Sequence, residues 1–348
     1  MMLDFIALYR YQIALSPSLP VASQRINQRL GLVLELASGD KHTWVEIAPL
    51  SGTDNNGQAL HGFNRERLEQ VEHQLSQDLP LLFNQPLDAL LACIQHRYPS
   101  LDFALSLAHA KLTERLAPAR THLAPIGLVY GHSGETDAEL AHRLELYLTH
   151  YQGNFLKIKV GQRPWQQDLA LIYQVLAHKP KLRLRLDANR HYSLEDAIDF
   201  CACLPKANID YIEEPCANVT DSQAVYQATG IGFALDESLC APDAHYQPMA
   251  GLKALVLKPM LIGDLAKLQA MIEQAAADGV RSVISSSLEA SLGIHDLALI
   301  AAQLTPDEAP GLDTLSAFSQ DLLISTANKP CLTTADLTLV LQLGQKVK

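Results

Sequence analysis

The sequence lacks the features of several common protein classes. It contains six cysteines, none of them in a Cys-x-x-Cys pair, at positions 93, 201, 203, 216, 240 and 331. This spacing argues against a zinc site or a disulfide framework and indicates reduced thiols in a cytoplasmic protein. No charge-free stretch reaches the roughly 18 apolar residues that a membrane span needs. Asp4 and Arg10 interrupt the start of the chain, which has no apolar signal core.

Positive charge is also scarce. The 348 residues include 27 Lys and Arg against 38 Asp and Glu, a formal net charge of −11. A general nucleic-acid-binding protein presents a basic surface, so the composition argues against that class. An anionic small substrate remains compatible, because local lysines or a bound metal can override the overall sign. The hydrophobic share of 48% is typical of a globular protein. At roughly 150 residues per domain, the length suggests two domains, or one large domain with a satellite.

The first 120 residues predict a small α+β module. Strands are expected at 3–15, 30–37 and 44–47, and they could form an antiparallel sheet. Apolar residues at helical spacing predict helices at 64–78, 86–97 and 103–116.

After Pro118 short apolar strands alternate with amphipathic helices. The expected strands are at 126–130, 155–160, 182–187, 211–213, 233–236, 254–257, 282–286 and near 311–315. Repeated βα units of about 25 residues predict a parallel sheet, and eight of them predict closure into a barrel. A last strand-like segment, 337–343, is expected to return to the first module.

Residues with chemical function recur at the ends of these strands. Steps of 22 to 28 residues separate Lys159, Asp187, Glu213, Asp236, Lys258, Ser285 and Gly311. The carboxyl ends of barrel strands converge on one face, where the active sites of such barrels lie. We therefore expect these residues to meet in space.

Three of the strands end in acids: Asp187, Glu213 and Asp236. Carboxylates that point at one centre repel one another and raise their pKa values, and a divalent cation relieves this repulsion. Three oxygen ligands with water suit Mg²⁺. Any one of these acids alone could instead be a loop residue or a helix cap.

Two lysines, Lys157 and Lys159, are separated by one residue and therefore share a strand face. Lysines inside an apolar barrel are costly, so a functional role is favoured over a solvated edge. Like charge and a nearby metal lower a lysine pKa, which makes Lys159 a candidate general base. Lys258 ends a strand across the barrel and is expected to face Lys159.

Further polar residues lie beside these strand ends. Arg185 could bind a substrate carboxylate, or form an ion pair inside the barrel with a neighbour such as Glu213. Asn189 could support the metal site or belong to a turn. Ser285 and Ser286 suit an anionic group, although helix capping also explains a serine there. Two lysines flanking a carboxylate-bound Mg²⁺ fit proton abstraction α to a carboxylate, the known pairing of enolase-superfamily enzymes.

Several motifs resemble the muconate-lactonizing subgroup of the enolase superfamily. They are KIKVG (157–161), RLDANR (185–190), IEEP (212–215), ALDES (234–238) and LKP (257–259). A narrower resemblance, to the gammaproteobacterial o-succinylbenzoate synthase family, rests on four further segments. These are EEPC (213–216), ISSSLEASLG (284–293), LTPDEAPGLDTL (304–315) and WVEIAPLSG (44–52).

The resemblance implies a (β/α)7β modified TIM barrel with an α+β capping domain. The capping domain would comprise residues 1–120 plus 320–348, and the catalytic barrel residues 121–319. A loop at 15–23 is expected over the active site, and it departs from the family pattern.

The resemblance also implies roles for individual residues. Asp187, Glu213 and Asp236 would bind Mg²⁺, with Mn²⁺ as an alternative metal. Lys159 would be the catalytic acid and base, Lys157 would tune it, and Lys258 would stabilise the enolate or act as an acid or base. The residues implied to line the product site are Arg185, Ser285, Ser286 and Gly311.

The implied reaction is syn dehydration of 2-succinyl-6-hydroxy-2,4-cyclohexadiene-1-carboxylate to 2-succinylbenzoate in menaquinone biosynthesis, through a metal-stabilised enediolate. N-acylamino acid racemases and dipeptide epimerases of the superfamily use the same lysines and are the alternative. A non-catalytic carboxylate- or metal-binding barrel is a third alternative. It is disfavoured because a barrel that had lost activity should also have lost a lysine or an acid of the site. All five of these residues are present, namely Lys159, Lys258, Asp187, Glu213 and Asp236. The expected partner is a small-molecule carboxylate, with no nucleic acid or membrane, for a monomer or small homo-oligomer.

Overall fold

The structure is a computed structural model that describes residues 1–21, 24–60, 65–116, 124–132, 134–240 and 246–345. An antiparallel sheet opens the chain with strands β1 (Phe5–Val21), β2 (Gln24–Ser38) and β3 (Lys41–Ile47). The segment predicted as a loop at 15–23 is instead largely strand, because β1 passes an irregularity between Ala14 and Leu19 and pairs again with β2. Residues 22 and 23 of that prediction lie outside the described part of the chain.

Three helices follow the sheet: α1 (Leu68–Leu82), α2 (Ala89–Ala92) and α3 (Pro99–Leu112). Helix α1 is amphipathic, with buried residues Leu68, Val71, Leu75, Leu79 and Leu82 at helical spacing. Helix α3 is buried on nearly every side. A helix that is buried on nearly every side lies inside a protein, and α3 accordingly packs against β3 and against a helix of the second half of the chain.

A parallel sheet forms the second half of the chain, as predicted. Its strands are β4 (Gly127–Val129), β5 (Phe155–Lys159), β6 (Arg183–Asp187), β7 (Ile209–Glu213), β8 (Phe233–Leu235), β9 (Leu252–Leu257) and β10 (Arg281–Ile284). They are neighbours in sequence order. The helices of this half are α4 (Asp137–His150), α5 (Trp165–His178), α6 (Leu194–Ala202), α7 (Val219–Thr229), α8 (Pro259–Ile262), α9 (Leu265–Ala277) and α10 (Ser291–Leu304). The predicted α/β fold class is confirmed.

The eighth strand, expected near 311–315, is reduced to a single bridge. Gly311 pairs in parallel with Ser285, and its N–H donates to the Ile284 carbonyl at 2.9 Å. On the other side, the Ile126 N–H donates to the Pro310 carbonyl at 3.0 Å. This short segment therefore connects the two edges of the seven-stranded sheet.

The end of the chain returns to the first sheet, as predicted. Strands β11 (Asp321–Leu322) and β12 (Cys331–Leu332) pair with each other, and β13 (Thr338–Leu343) pairs antiparallel with β1. The predicted domain boundary at 120/121 lies outside the described residues, so the division into 1–120 plus 320–348 and 121–319 stays a prediction.

One apolar core extends through both halves of the molecule. It includes Leu34 and Val45 of the antiparallel sheet, Ala104 of α3, and Leu186 and Leu257 of the parallel sheet. The strands of the parallel sheet are buried on both faces, as expected where helices cover it. In the described residues, no helix combines the length and apolar character needed to cross a membrane.

Candidate active site

Strand β5 carries two lysines on one face. Lys157 and Lys159 alternate with the fully buried residues Leu156 and Ile158. Both ammonium groups contact the same carboxylate oxygen, Asp187 Oδ2, at 2.9 Å for Lys157 and 3.2 Å for Lys159. The two-residue period of a strand thus brings both lysines to one acid.

The three predicted acids lie at the carboxyl ends of adjacent strands. Asp187 is the last residue of β6 and lies opposite Glu213, the last residue of β7, while Asp236 directly follows β8. All three side chains are buried. Lys157 Nζ lies 2.5 Å from Glu213 Oε2, and Lys258 Nζ, from the end of β9, lies 2.6 Å from Asp236 Oδ2. The structure therefore brings together all three acids and all three lysines.

Burial and mutual contact alter the charge states of these groups. Burial raises the pKa of Glu213, and the neighbouring carboxylates of Asp187 and Asp236 add to this, giving a pKa of about 7. Burial acts in the same direction on Asp187, but the nearby lysine charges outweigh it and hold its pKa well below the usual range. Burial opposes charge on Lys157, yet the surrounding carboxylates raise its pKa above the ordinary value. This is opposite to the lowering expected from lysine–lysine repulsion alone.

The carboxylates of Asp187, Glu213 and Asp236 form ion pairs with the lysine ammonium groups. Within the described part of the chain, no group of three or more His, Cys, Asp or Glu side chains stands in an arrangement ready to hold a metal ion. Asp236 Oδ1 and Glu237 Oε2 are nevertheless buried and have no hydrogen-bond partner. Buried carboxylate oxygens without a donor are costly, and a cation with oxygen preference would satisfy them.

Asn189 links Lys159 to a further acid. Its side-chain oxygen accepts a hydrogen bond from Lys159 Nζ at 2.5 Å, and its amide nitrogen donates to Glu237 Oε1 at 2.8 Å. Its backbone φ is 43°, as in the predicted turn. Burial, together with the charge of Asp236, raises the pKa of Glu237 to about 7. No role was predicted for Glu237 from the sequence, although it lies inside the ALDES motif.

Glu214 is a second buried acid near the site for which the sequence predicted no role. Its carboxylate accepts hydrogen bonds from the backbone N–H groups of Asp236 at 3.0 Å and Ser238 at 2.9 Å. It is fully buried and has a φ of 38°. The sequence did contain an indication of a separate role, because Glu214 is the second glutamate of IEEP. Adjacent strand residues face opposite ways, so Glu214 cannot point into the barrel alongside Glu213. Its contacts fix the start of the segment that carries Asp236.

A cavity opens above these groups, with about 660 Å³ of empty space, open solvent included. Three of the predicted substrate-binding residues line it, namely Ser285, Ser286 and Gly311. The Ser285 hydroxyl donates to the Gly311 carbonyl at 3.2 Å. Apolar residues complete the wall, and they are Pro20, Val21, Leu50, Ile126, Leu128 and Leu288. Pro20 and Val21 belong to β1, so the segment expected over the site does reach it.

Arg185 lies apart from the cavity, although the resemblance implies that it lines the product site. Its guanidinium is buried and donates to Asp210 Oδ2 at 2.9 Å and to Glu308 Oε2 at 2.8 Å. It also stacks over the ring of Tyr211, with 5.1 Å to the ring centroid. It does not belong to the residues that line the cavity. The observed geometry is that of the alternative given for Arg185, an ion pair inside the barrel. Its partners are Asp210 and Glu308 instead of Glu213.

Comparisons with known proteins point to one family. Residues 139–325 match the family described as enolase C-terminal domain-like, and residues 4–112 match the MenC N-terminal domain. The chain is 36% identical to the o-succinylbenzoate synthase of Haemophilus influenzae over 91% of both chains. It is 36% identical to that of Escherichia coli K12, over 88% of this chain and 89% of the relative.

Solved structures share the fold. An o-succinylbenzoate synthase from Thermosynechococcus elongatus, determined with magnesium in its active site, superimposes with a TM-score of 0.69 at 24% identity, over 88% of this chain and 92% of that one. The L-Ala-D/L-Glu epimerase of Bacillus subtilis superimposes with a TM-score of 0.75 at 21% identity, over 92% of both chains. Given the sequence relatives above 30% identity and the two domain matches, the chain belongs to the o-succinylbenzoate synthase family of the enolase superfamily.

Proposed function

We propose that this protein dehydrates 2-succinyl-6-hydroxy-2,4-cyclohexadiene-1-carboxylate to 2-succinylbenzoate in menaquinone biosynthesis, as a hydro-lyase. The observation that carries the proposal is that Lys157, Lys159 and Lys258, which line one cavity, converge on three buried acids. The curated relatives named above carry this activity in their names.

Lys159 is the acid and base in this proposal. Its neutral amine removes the proton α to the ring carboxylate, and the electron pair of the C–H bond is delocalised into that carboxylate as an enediolate. The resulting ammonium then gives its proton to the departing hydroxyl on the same face. The electron pair forms the new ring double bond as the C–O bond breaks and water leaves. Asn189 Oδ1, at 2.5 Å from Lys159 Nζ, orients the amine. Aromatisation of the ring supplies much of the driving force.

The other two lysines act on charge. Lys157 lies between Asp187 and Glu213 and tunes the field around Lys159. Lys258 approaches from the opposite side of the site, where its ammonium stabilises the negative charge of the enolate.

We assign Asp187, Glu213 and Asp236 as ligands of Mg²⁺, with Asn189 in support. Three buried carboxylates and the partnerless Asp236 Oδ1 form a set of hard oxygen donors that fits this ion. When bound, the ion would supply positive charge that stabilises the anion formed at the substrate carboxylate. The acids would bind the ion. The lysines must break their ion pairs with these acids before they can act on the substrate.

Ser285, Ser286 and Gly311 bind the substrate in this proposal. The two hydroxyls and the neighbouring backbone stand at the end of β10 and suit a carboxylate, while the leucine-rich wall suits the ring and the methylene groups. Ser286 Oγ lies 3.1 Å from Thr314 Oγ1, so one of these two hydroxyls accepts a hydrogen bond from the other and keeps its own proton free to donate to the substrate.

We also propose that residues 1–120 and 320–348 cap the barrel of residues 121–319, and that the protein is cytoplasmic. The first proposal is supported by the pairing of β13 with β1 and by the contribution of Pro20, Val21 and Leu50 to the cavity wall. The second is supported by the cysteines, all six of which are free.

An ultraviolet assay tests the function. Purified protein is mixed with the cyclohexadiene acid, with and without Mg²⁺, and the loss of diene absorbance is followed. We expect Mg²⁺-dependent turnover that Lys159→Ala abolishes, while Lys181→Ala, an exposed lysine remote from the cavity, retains it. No turnover of this acid, but racemisation of an N-acylamino acid or a dipeptide, would assign the chain to the alternative reaction. Absence of both reactions would support the non-catalytic alternative.

A further inference from the structure

Arg29, on β2, is a buried arginine that no part of the proposed chemistry uses. Its side chain is among the largest that are fully enclosed, with 2% of the residue exposed. Its guanidinium donates to the carbonyl group of the adjacent Leu30 and to carbonyl groups from two distant parts of the chain. These are Leu288 at 2.8 Å, Pro49 at 3.1 Å, Leu30 at 3.1 Å and Ser287 at 3.4 Å, together with Ala48.

The four distant carbonyl groups that Arg29 binds belong to segments on both sides of the cavity. Ala48 and Pro49 precede Leu50, which lines the cavity from the side of the antiparallel sheet. Ser287 and Leu288 line it from the barrel side, after β10. Leu288 has a φ of 65°, a strained value for a leucine, and the bond from Arg29 Nε to its carbonyl helps to hold that conformation.

A second contact fixes the same junction. Glu46, on β3, accepts hydrogen bonds from the N–H groups of Ala290 at 2.9 Å and Gly293 at 2.8 Å, at the start of α10. A Cβ at position 293 would lie 2.7 Å from Glu289 Cβ and 2.9 Å from Glu46 Oε2, so any larger residue would have to displace these side chains. The sequence segments 44–52 and 284–293, which both carried the family resemblance, therefore meet at this junction.

We propose that Arg29 is a positioning residue that sets the width of the substrate cavity by holding the 48–50 segment against the 287–288 segment. This inference rests on the proposed function for its kinetic consequence. Arg29 does not line the cavity, and the lysines and acids stand on β5 to β9, away from it. Its loss displaces the wall that contacts the substrate while leaving the reacting groups in place. Such a change weakens the binding of the substrate and of the transition state by the same amount, so it raises KM and leaves kcat nearly unchanged.

The test compares Arg29→Met with Lys111→Met. Lys111 also joins the two halves of the molecule, because its ammonium donates to the Trp44 carbonyl at 2.7 Å and to buried Asp296 at 2.6 Å, but it does not line the cavity. For Arg29→Met we expect KM for the cyclohexadiene acid to rise at least about tenfold, with kcat within about threefold. For Lys111→Met we expect a lower melting temperature and an unchanged KM.

Hydrogen exchange gives a readout that does not depend on activity. Arg29→Met should speed amide exchange in the 48–50 and 285–290 segments, whereas Lys111→Met should leave both unchanged. If the wild type fails to turn over the acid, the proposed function is wrong, but the exchange result still decides the role of Arg29. Equal kinetic and exchange behaviour of the two variants would reduce Arg29 to a structural residue. If Arg29→Met does not fold, Arg29→Lys, which keeps the charge and fewer donors, must show the same increase in KM and in exchange, or the proposal fails.

Discussion

Gly311→Ala separates a local steric effect from backbone strain. The φ of Gly311 lies outside the left-handed region, so alanine can adopt the backbone conformation. An added Cβ would, however, lie 2.8 Å from Ser285 Oγ and 3.3 Å from Ser285 Cβ. The hydroxyl is the free end of a side chain and can rotate, but it then leaves its 3.2 Å hydrogen bond to the Gly311 carbonyl.

The size of the effect follows from these two changes. A lost hydrogen bond costs about 0.5–1.5 kcal/mol, and a displaced rotamer costs a similar amount. We expect the free energy of unfolding to fall by about 1–3 kcal/mol. We expect kcat/KM to fall by about tenfold, because the displaced hydroxyl and the new methyl group both enter the cavity wall where the substrate binds.

A double-mutant cycle checks the explanation. Ser285→Ala removes the oxygen at 2.8 Å and leaves the Cβ contact at 3.3 Å. In that background, Gly311→Ala should change stability by less than it does in the wild type, with a coupling of about 1 kcal/mol or more. Chemical denaturation and the ultraviolet assay give both quantities. Strictly additive effects in stability and in kcat/KM would refute the reasoning, since the two positions would then not act through each other.

Two further predictions concern charge. Asp236→Asn removes one of the three charges proposed to hold Mg²⁺, and calorimetric titration should show at least about tenfold weaker binding, whereas equal affinity would remove Asp236 from the ligand set. Burial raises the pKa of Asp102 to about 6 from its ordinary 3.8, so the folded state binds this proton more tightly than the unfolded state. Its stabilising effect is complete below about pH 4 and declines as the pH rises to about 6. Asp102→Asn, which keeps an acceptor for the Gln95 N–H, should flatten that decline in pH-dependent denaturation, and an unchanged slope would contradict the assignment.

The candidate site was predictable from local patterns to a large extent. The spacing of Lys157 and Lys159 follows the period of a strand, and the recurrence of Asp187, Glu213 and Asp236 follows the period of a βα unit. Both periods survive in the folded chain, because each strand begins and ends close to where its apolar run does.

Arg185 illustrates where that reasoning ends. It lies opposite Lys157 in the pairing of β5 with β6, yet the two side chains extend in opposite directions. Lys157 reaches Glu213 at the end of β7, while Arg185 reaches Asp210 near the start of the same strand. Strand period fixes which face a residue occupies, but a long side chain can reach either way, and the position of its partner decides the direction.

The sequence by itself determined the order of the βα units, the face of each lysine and the acids at the strand ends, since these depend on periodicity along a short stretch of chain. The tertiary structure alone decided how the segments around the cavity are held together. Arg29 binds Leu288 across 259 residues and Glu46 binds Ala290 across 244, and the eighth strand is reduced to a bridge at Gly311. Such contacts arise from how β2, β3 and α10 pack together, and no local pattern in the sequence records that packing.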